Sequence, residues 1–352
     1  MSLPATQKAV VIQGPGVAKV VTDRPIPKLR DGFILVKTVA VGLNPTDWKH
    51  VDYVVKEAGP VVGCDYAGVV EAVGAGVTKP FKKGDRICGM AHGSNVVQHE
   101  DGSFAEYIVV KGDVQIKIPD NLSFEDAATV GVSVVTVGQS LYQALGLPLP
   151  SEPARDAAPI LIYGGSTATG IFAIQYAKLS GYKVITTCSP RNNDLVKALG
   201  AEAVFDYNDP ECAAKIRAYT NDSLAIAFDT ISLADSAKIC EGALASSPPP
   251  GTTLRYHALL PRTTARSDVT DTRSLAYTAI GEAFRFSDGP KPAVKEDFDY
   301  AVKFLDLSRE LLASGKLRVP PVQLGQGLEG VLDGMQALRE NKVSGKKLVY
   351  KV

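Results

Sequence analysis

The sequence predicts an α/β protein, with a β-rich first third that reads as a small barrel and a doubly wound parallel sheet after it. Three observations carry this. Short β-branched runs punctuated by glycines fill residues 8–125, as a small barrel requires. From residue 159 apolar runs alternate with helical stretches, the pattern that builds a parallel sheet. The first of those runs, Pro159-Ile160-Leu161-Ile162, enters the glycine-rich stretch Tyr163-Gly164-Gly165-Ser166-Thr167-Ala168-Thr169-Gly170 and then the helix Ile171-Phe172-Ala173-Ile174-Gln175-Tyr176. That is a strand, a tight turn and a helix. The chain has 352 residues, enough for two domains with separate cores.

In chain order, Phe33-Ile34-Leu35-Val36-Lys37-Thr38-Val39-Ala40-Val41 follows the turn signal Arg30-Asp31-Gly32 and predicts a strand. Tyr66-Ala67-Gly68-Val69-Val70-Glu71-Ala72-Val73-Gly74 and Arg86-Ile87-Cys88-Gly89 predict two more. Character changes at Ser123, a candidate N-cap for a helix opening at Phe124. A second helix is expected over 134–145, then an irregular, Pro-rich excursion over 146–156. Strands follow at 183–188, 203–207 and 224–229, with helices at 193–199, closed by Gly200, and 210–219. The pattern weakens after residue 260. Helices at 298–315 and 327–340 and a final strand at 347–352 complete the chain.

Composition narrows the function classes. The 38 basic and 38 acidic side chains cancel, so no electrostatic case exists for nucleic acid or an anionic membrane. No apolar run approaches the length of a membrane span, and the first residues lack the apolar core of a signal peptide. The five cysteines are scattered, with no Cys-x-x-Cys pair, which excludes a four-cysteine zinc lobe. A cytoplasmic chain with reduced thiols is the expectation.

The glycine-rich turn aims free backbone N–H groups and a helix N-terminus at one spot, a natural phosphate site. The spacing Gly165-Ser166-Thr167-Ala168-Thr169-Gly170 departs from Gly-x-Gly-x-x-Gly at Thr167. Thr167 is expected to hold a pyrophosphate slightly further from the backbone, with its hydroxyl as an added contact. Taken alone the turn is equally a structural βα connection. The second strand decides more, because it ends in Cys188-Ser189-Pro190-Arg191-Asn192, without the carboxylate that binds the ribose of NAD. Arg191 can face a 2′-phosphate with its planar fork, and Ser189 and Asn192 can donate to it. The alternative is a solvated loop. The reading is NADPH.

Val62-Gly63-Cys64-Asp65-Tyr66-Ala67-Gly68-Val69-Val70-Glu71-Ala72-Val73-Gly74, then Lys83-Gly84-Asp85-Arg86-Ile87, and Leu199-Gly200-Ala201-Glu202-Ala203-Val204-Phe205-Asp206-Tyr207 resemble the medium-chain dehydrogenases/reductases. The resemblance implies a GroES-like barrel with a Rossmann domain. The domains are expected at 1–125 with 298–352 (GroES-like, substrate and catalysis) and 126–297 (Rossmann, NADPH). Zinc alcohol dehydrogenases of that family carry Gly-His-Glu where this chain has Gly63-Cys64-Asp65, and a Cys ligand near Asn44. Neither ligand is present here, and His50, His92, His99 and His257 show no zinc spacing, so the expected site is metal-free.

Within the zinc-free branch, Asn44-Pro45-Thr46-Asp47-Trp48-Lys49, the glycine-rich turn, Thr187-Cys188-Ser189-Pro190 and the Pro-rich excursion are similar to fungal trans-acting enoyl reductases of polyketide biosynthesis. That similarity implies catalytic roles for Lys49 and Thr136. It places Pro45, Thr46, Asp47 and Trp48 along the nicotinamide. It puts Gly165, Ser166, Thr167, Ala168, Thr169, Gly170, Ser189, Arg191, Asn192 and Tyr207 on NADPH, with Leu259, Leu260, Val343 and Ser344 completing the pocket. Ser274, Leu275, Ala276, Tyr277 and Thr278 would line an acyl channel.

The implied reaction is reduction of the α,β-double bond of an enoyl thioester. Charge developing on the thioester oxygen calls for preorganised donors, Thr136 among them. Lys49 has the chemistry to supply the proton. On residues alone Lys49 reads as a solvated barrel lysine, and Thr136 as a helix hydroxyl bonded to a backbone carbonyl. Two alternatives stay open: an NADPH quinone oxidoreductase of the zeta-crystallin type, and a non-enzymatic NADPH-binding protein. An acyl carrier protein is the implied partner, with Lys49, Lys56, Arg262, Arg266 and Arg273 as basic residues to receive its acidic surface. The Pro-rich stretch Ala245-Ser246-Ser247-Pro248-Pro249-Pro250-Gly251 blunts strand pairing, so a monomer is expected.

Overall fold

A computed structural model describes residues 3–156, 158–286 and 288–352. The chain divides into two compact units, 1–135 with 277–352 and 136–276. Residues 126–135 and 277–297, expected on sequence with the nucleotide-binding unit, group with the first unit instead. No helix among the described residues is long and apolar enough to cross a membrane.

The first unit opens with an antiparallel pair, β1 (Thr6–Gly14) and β2 (Val17–Pro25). The predicted β-branched run forms β3 (Phe33–Gly42), which pairs with β4 (Asp65–Val73) and β6 (Tyr107–Lys111). β5 (Arg86–Met90) and β7 (Gln115–Lys117) extend that sheet beyond β4. Between β3 and β4 lies a short helix, α1 (Pro45–Lys49), whose next turn, His50–Val54, widens to i→i+5 bonding. Pro45 suits the first helical position, where no N–H is required. Ser123 caps α2 (Phe124–Ala127) as expected, its hydroxyl accepting the Asp126 N–H at 3.0 Å. α3 (Gly131–Val137) continues as a wider turn over Gly138–Ala144.

The second unit contains β8 (Pro159–Tyr163), α4 (Ala168–Leu179), β9 (Lys183–Thr187), α5 (Asn193–Leu199), β10 (Ala203–Phe205), α6 (Cys212–Tyr219), β11 (Ile226–Asp229), α7 (Ala234–Ala243), β12 (Leu254–Ala258) and β13 (Val269–Arg273). Every pairing is parallel and the strand order is β10-β9-β8-β11-β12-β13. The order reverses between β8 and β11, so a crevice forms at their carboxyl ends. The glycine-rich turn follows β8. Leu161 and Tyr163 of β8, Ile185 of β9, Ala227 of β11 and Leu254, Tyr256 and Ala258 of β12 contribute to the core on one face of the sheet.

The chain then returns to the first unit through the hairpin β14 (Phe284–Phe286) and β15 (Gly289–Lys291), two short strands in the region where the sequence pattern is weakest. α8 (Lys295–Ala313) buries Ala301, Phe304, Leu305, Ser308, Leu311 and Leu312, one face of a helix. After β16 (Val322–Gln326) and α9 (Gly327–Arg339), β17 (Lys347–Lys351) pairs with β3, closing the chain's end onto its beginning.

Candidate active site

In the second unit the turn between β8 and α4 is built by its glycines. Gly164 takes a left-handed φ of +79°. A Cβ on Gly165 would lie 2.1 Å from Thr186 Oγ1, and one on Gly170 would lie 2.2 Å from the Gly164 carbonyl oxygen. These are the close strand and helix approaches that only glycine permits. Thr167 is the N-cap of α4: its Oγ1 accepts the Gly170 N–H at 2.9 Å and pairs with Thr230 Oγ1 at 3.0 Å. The hydroxyl expected to reach a pyrophosphate is thus engaged in the turn itself. Ser166, Thr167, Ala168 and Thr169 are half-buried, leaving the cradle open to a ligand.

At the end of β9, Ser189 Oγ and Tyr207 OH lie 2.8 Å apart. Arg191 is exposed and makes no hydrogen bond or ion pair among the described residues, while Asn192 beside it is buried. Across the switch point, buried Asp229 accepts the N–H groups of Ile231 and Ser232 on one oxygen and the hydroxyls of Ser236 and Tyr256 on the other. Ser232 Oγ in turn accepts the Leu259 N–H at 2.7 Å. One carboxylate thereby fixes the loop after β11 and the residue after β12. Ser274 Oγ lies 3.1 Å from both His257 Nε2 and Ser140 Oγ. Burial holds His257 down at about 4. Thr136 is buried at the end of α3.

The first unit gathers polar side chains around α1. Thr46 Oγ1 is 3.0 Å from both Tyr277 OH and His50 Nδ1. Tyr277 OH also approaches Cys64 Sγ at 3.4 Å, and its ring stacks on His92 at 4.5 Å. Tyr277, one of the five residues expected to line an acyl channel, is thus bonded to a residue of α1. Thr278 donates its hydroxyl to Asp297. Burial holds His50 below its ordinary value and His92 down at about 3. Trp48 meets Tyr53 edge-on at 5.9 Å. Lys49 is half-buried, with its ammonium 5.8 Å from the Trp48 ring centroid. It makes no ion pair or hydrogen bond among the described residues, and burial lowers its pKa. Val343 and Ser344 are half-buried in the loop between α9 and β17.

Deeper in the same unit is a group that sequence reasoning missed. Lys347 forms a buried ion pair with Asp65 and donates to Asn44 Oδ1 at 2.8 Å. Asn44 Nδ2 donates to Asp65 Oδ2 at 3.0 Å, and the Val132 N–H donates to Asp65 Oδ1 at 2.6 Å. Asp47 is 1% exposed, accepts the Asn44 N–H at 2.7 Å, and is pushed up to about 7 by burial, with the Asp65 charge adding and the Asn44 bond and Lys347 opposing. The available signal was the pair Lys346-Lys347 at the start of a terminal strand, where alternation must turn one of the two inward.

Residues 30–120 match the alcohol dehydrogenase GroES-like domain and residues 168–247 the zinc-binding dehydrogenase family. Trans-enoyl reductase ACTTS2 of Alternaria alternata is 48% identical over 349 residues, 99% of each chain. The chain belongs to the trans-enoyl reductase family. Trans-enoyl reductase TOXD of Cochliobolus carbonum is 56% identical over 278 residues, 79% of this chain and 92% of that one. Among solved structures, an alcohol dehydrogenase superfamily protein from Novosphingobium aromaticivorans matches with a TM-score of 0.80 at 20% identity, over 99% of this chain and 100% of that one. That likeness shows the fold, a GroES-like unit with a Rossmann unit. Zinc does not fit this member: among the described residues no three His, Cys, Asp or Glu side chains are placed to hold a metal ion, and the amine of Lys347 lies against Asn44 and Asp65. The residues present do fit a dinucleotide: Ser166, Thr167, Ala168 and Thr169 are half-buried at the N-terminus of α4, where free N–H groups can meet a phosphate.

Proposed function

We propose that the chain is an NADPH-dependent, metal-free enoyl reductase, reducing the α,β-double bond of an enoyl thioester carried by the acyl carrier protein of a polyketide synthase. The observation that carries this reading is the state of Lys49: a half-buried amine, lowered in pKa and without a carboxylate partner among the described residues, on the helix that also holds Thr46. A structural surface lysine needs no such desolvation.

In this reading the N–H groups of the glycine-rich turn and the N-terminus of α4 hold the pyrophosphate. Arg191, Ser189, Asn192 and Tyr207 hold the 2′-phosphate, and an exposed guanidinium without an internal partner is free to do so. Pro45, Thr46 and Trp48 border the nicotinamide, Asp47 between them being buried, with Leu259, Leu260, Val343 and Ser344 closing the pocket. When bound, the reduced nicotinamide supplies hydride to the β-carbon. Thr136 donates toward the thioester oxygen as charge builds there. Lys49 gives the α-carbon its proton, directly or by orienting a hydroxyl, and desolvation makes that proton easier to release. Ser274 to Thr278 line the acyl chain's path.

Lys49→Ala tests the assignment. Turnover of a crotonyl thioester is expected to fall about 10²-fold, the low end of general acid catalysis, with NADPH affinity held within about twofold. Turnover equal to wild type would remove Lys49 from the mechanism.

A further inference from the structure

Lys347 and Asp65 have side chains only 2% and 0% exposed. Through them four separate stretches meet: the first residue of β17, the cap of α1 at Asn44, the first residue of β4 and the N-terminus of α3 at Val132. The backbone makes room for the pair. A Cβ on Gly42 would lie 3.1 Å from Lys347 Cε, and one on Gly131 would lie 2.5 Å from Asp65 Oδ1. The second carboxylate, Asp47, has weaker support: Asn44 N–H holds its Oδ2, while Oδ1 has no nitrogen or oxygen donor, only the Cys64 thiol beside it. The charged and titratable groups facing Asp47 are Asp65, Lys347 and Cys64.

A buried ion pair is a poor stabiliser, since apolar residues of similar volume usually do as well or better. Its presence argues for geometry or charge. By the resemblance the zinc alcohol dehydrogenases carry a Cys ligand near the position of Asn44, and here Lys347 Nζ is bonded to Asn44 and Asp65.

We propose that Lys347 is a built-in cation standing in for a metal ion at these positions, and that it is a positioning residue, holding through Asn44 the helix that carries Thr46 and Lys49. The kinetic half of this proposal rests on the enoyl reductase reading; the charge half does not.

The test uses the full chain as Lys347→Met and as the double variant Asp65→Asn with Lys347→Met, in which neither charge is left buried and alone. The double variant is expected to melt near wild type and to bind NADPH within about twofold, yet to lose about tenfold or more in kcat on a crotonyl thioester, because small misplacements of reacting groups are costly. Wild-type kcat in a stable double variant would overturn the positioning role. Lys347→Met supplies a readout that needs no turnover. Asp47, with a folded value of about 7 against an ordinary 3.8, contributes stability that is complete below the carboxylate range and is lost as pH rises through 7. Removing the cation leaves two buried carboxylates facing each other, so the melting temperature of Lys347→Met should fall more steeply from pH 5 to pH 8 than that of wild type, and the double variant should return to the shallower slope. Equal slopes in all three overturn the cation role. If wild type reduces no enoyl thioester, the enoyl reductase reading fails while the pH comparison still decides the charge.

Discussion

Arg191 and Lys49 are both basic residues without internal partners among the described residues, yet their surroundings differ. Arg191 is exposed at the end of β9, where a guanidinium keeps its hydration until a dianion arrives. Lys49 is desolvated, which costs it proton affinity and suits it to giving a proton away. Arg191→Ala should therefore act on cofactor choice alone. A charge-assisted hydrogen bond contributes about 1.5–3 kcal/mol, so NADPH affinity should fall about ten- to a hundredfold, while NADH affinity stays within about twofold. Titration by nicotinamide fluorescence reads both, and an equal loss for the two cofactors would place the 2′-phosphate elsewhere. The role proposed for Arg191 could be argued from the sequence because it rests on a neighbouring strand end and a turn close by in the chain. Lys347 was not legible, because its partner Asn44 is 303 residues away in sequence. Alternation at Lys346-Lys347 says that one of the two turns inward, but not that it meets a carboxylate brought in from another part of the chain.

At the scale of elements, the glycine-rich turn shows how a broken motif keeps its fold. Thr167 replaces a glycine but serves as the cap of α4, satisfying the Gly170 N–H that the helix start leaves over. Thr167→Ala should destabilise the second unit by about 1 kcal/mol, whereas Thr167→Gly should cost only a few tenths. Urea unfolding followed by tyrosine fluorescence distinguishes them, and equal losses would mean the hydroxyl is not capping. The β8–α4–β9 pattern was readable because its period switches sharply and Gly165 and Gly170 sit at the points of contact. The hairpin β14–β15 was not, since strands of three residues carry too little alternation to stand out. The widening of α1 and α3 into i→i+5 turns likewise leaves no mark on composition.

One unit of the chain carries a glycine turn that fits a dinucleotide, and the other carries the half-buried Lys49 and the buried Lys347. The order of the two units was legible from the change of pattern near residue 159. Their boundary was not, because 126–135 and 277–297 read as helix and loop, and it is packing against β4, α1 and β17, not composition, that assigns them. The proposed function is reduction of an activated alkene without a metal. The most direct measurement is NADPH oxidation by the wild-type chain, after dialysis against a chelator, with a crotonyl or longer enoyl thioester and, separately, with a quinone. Turnover of the thioester is expected, undiminished by the chelator and accompanied by the saturated product. Turnover of the quinone alone, or tight NADPH binding with neither acceptor consumed, would contradict it.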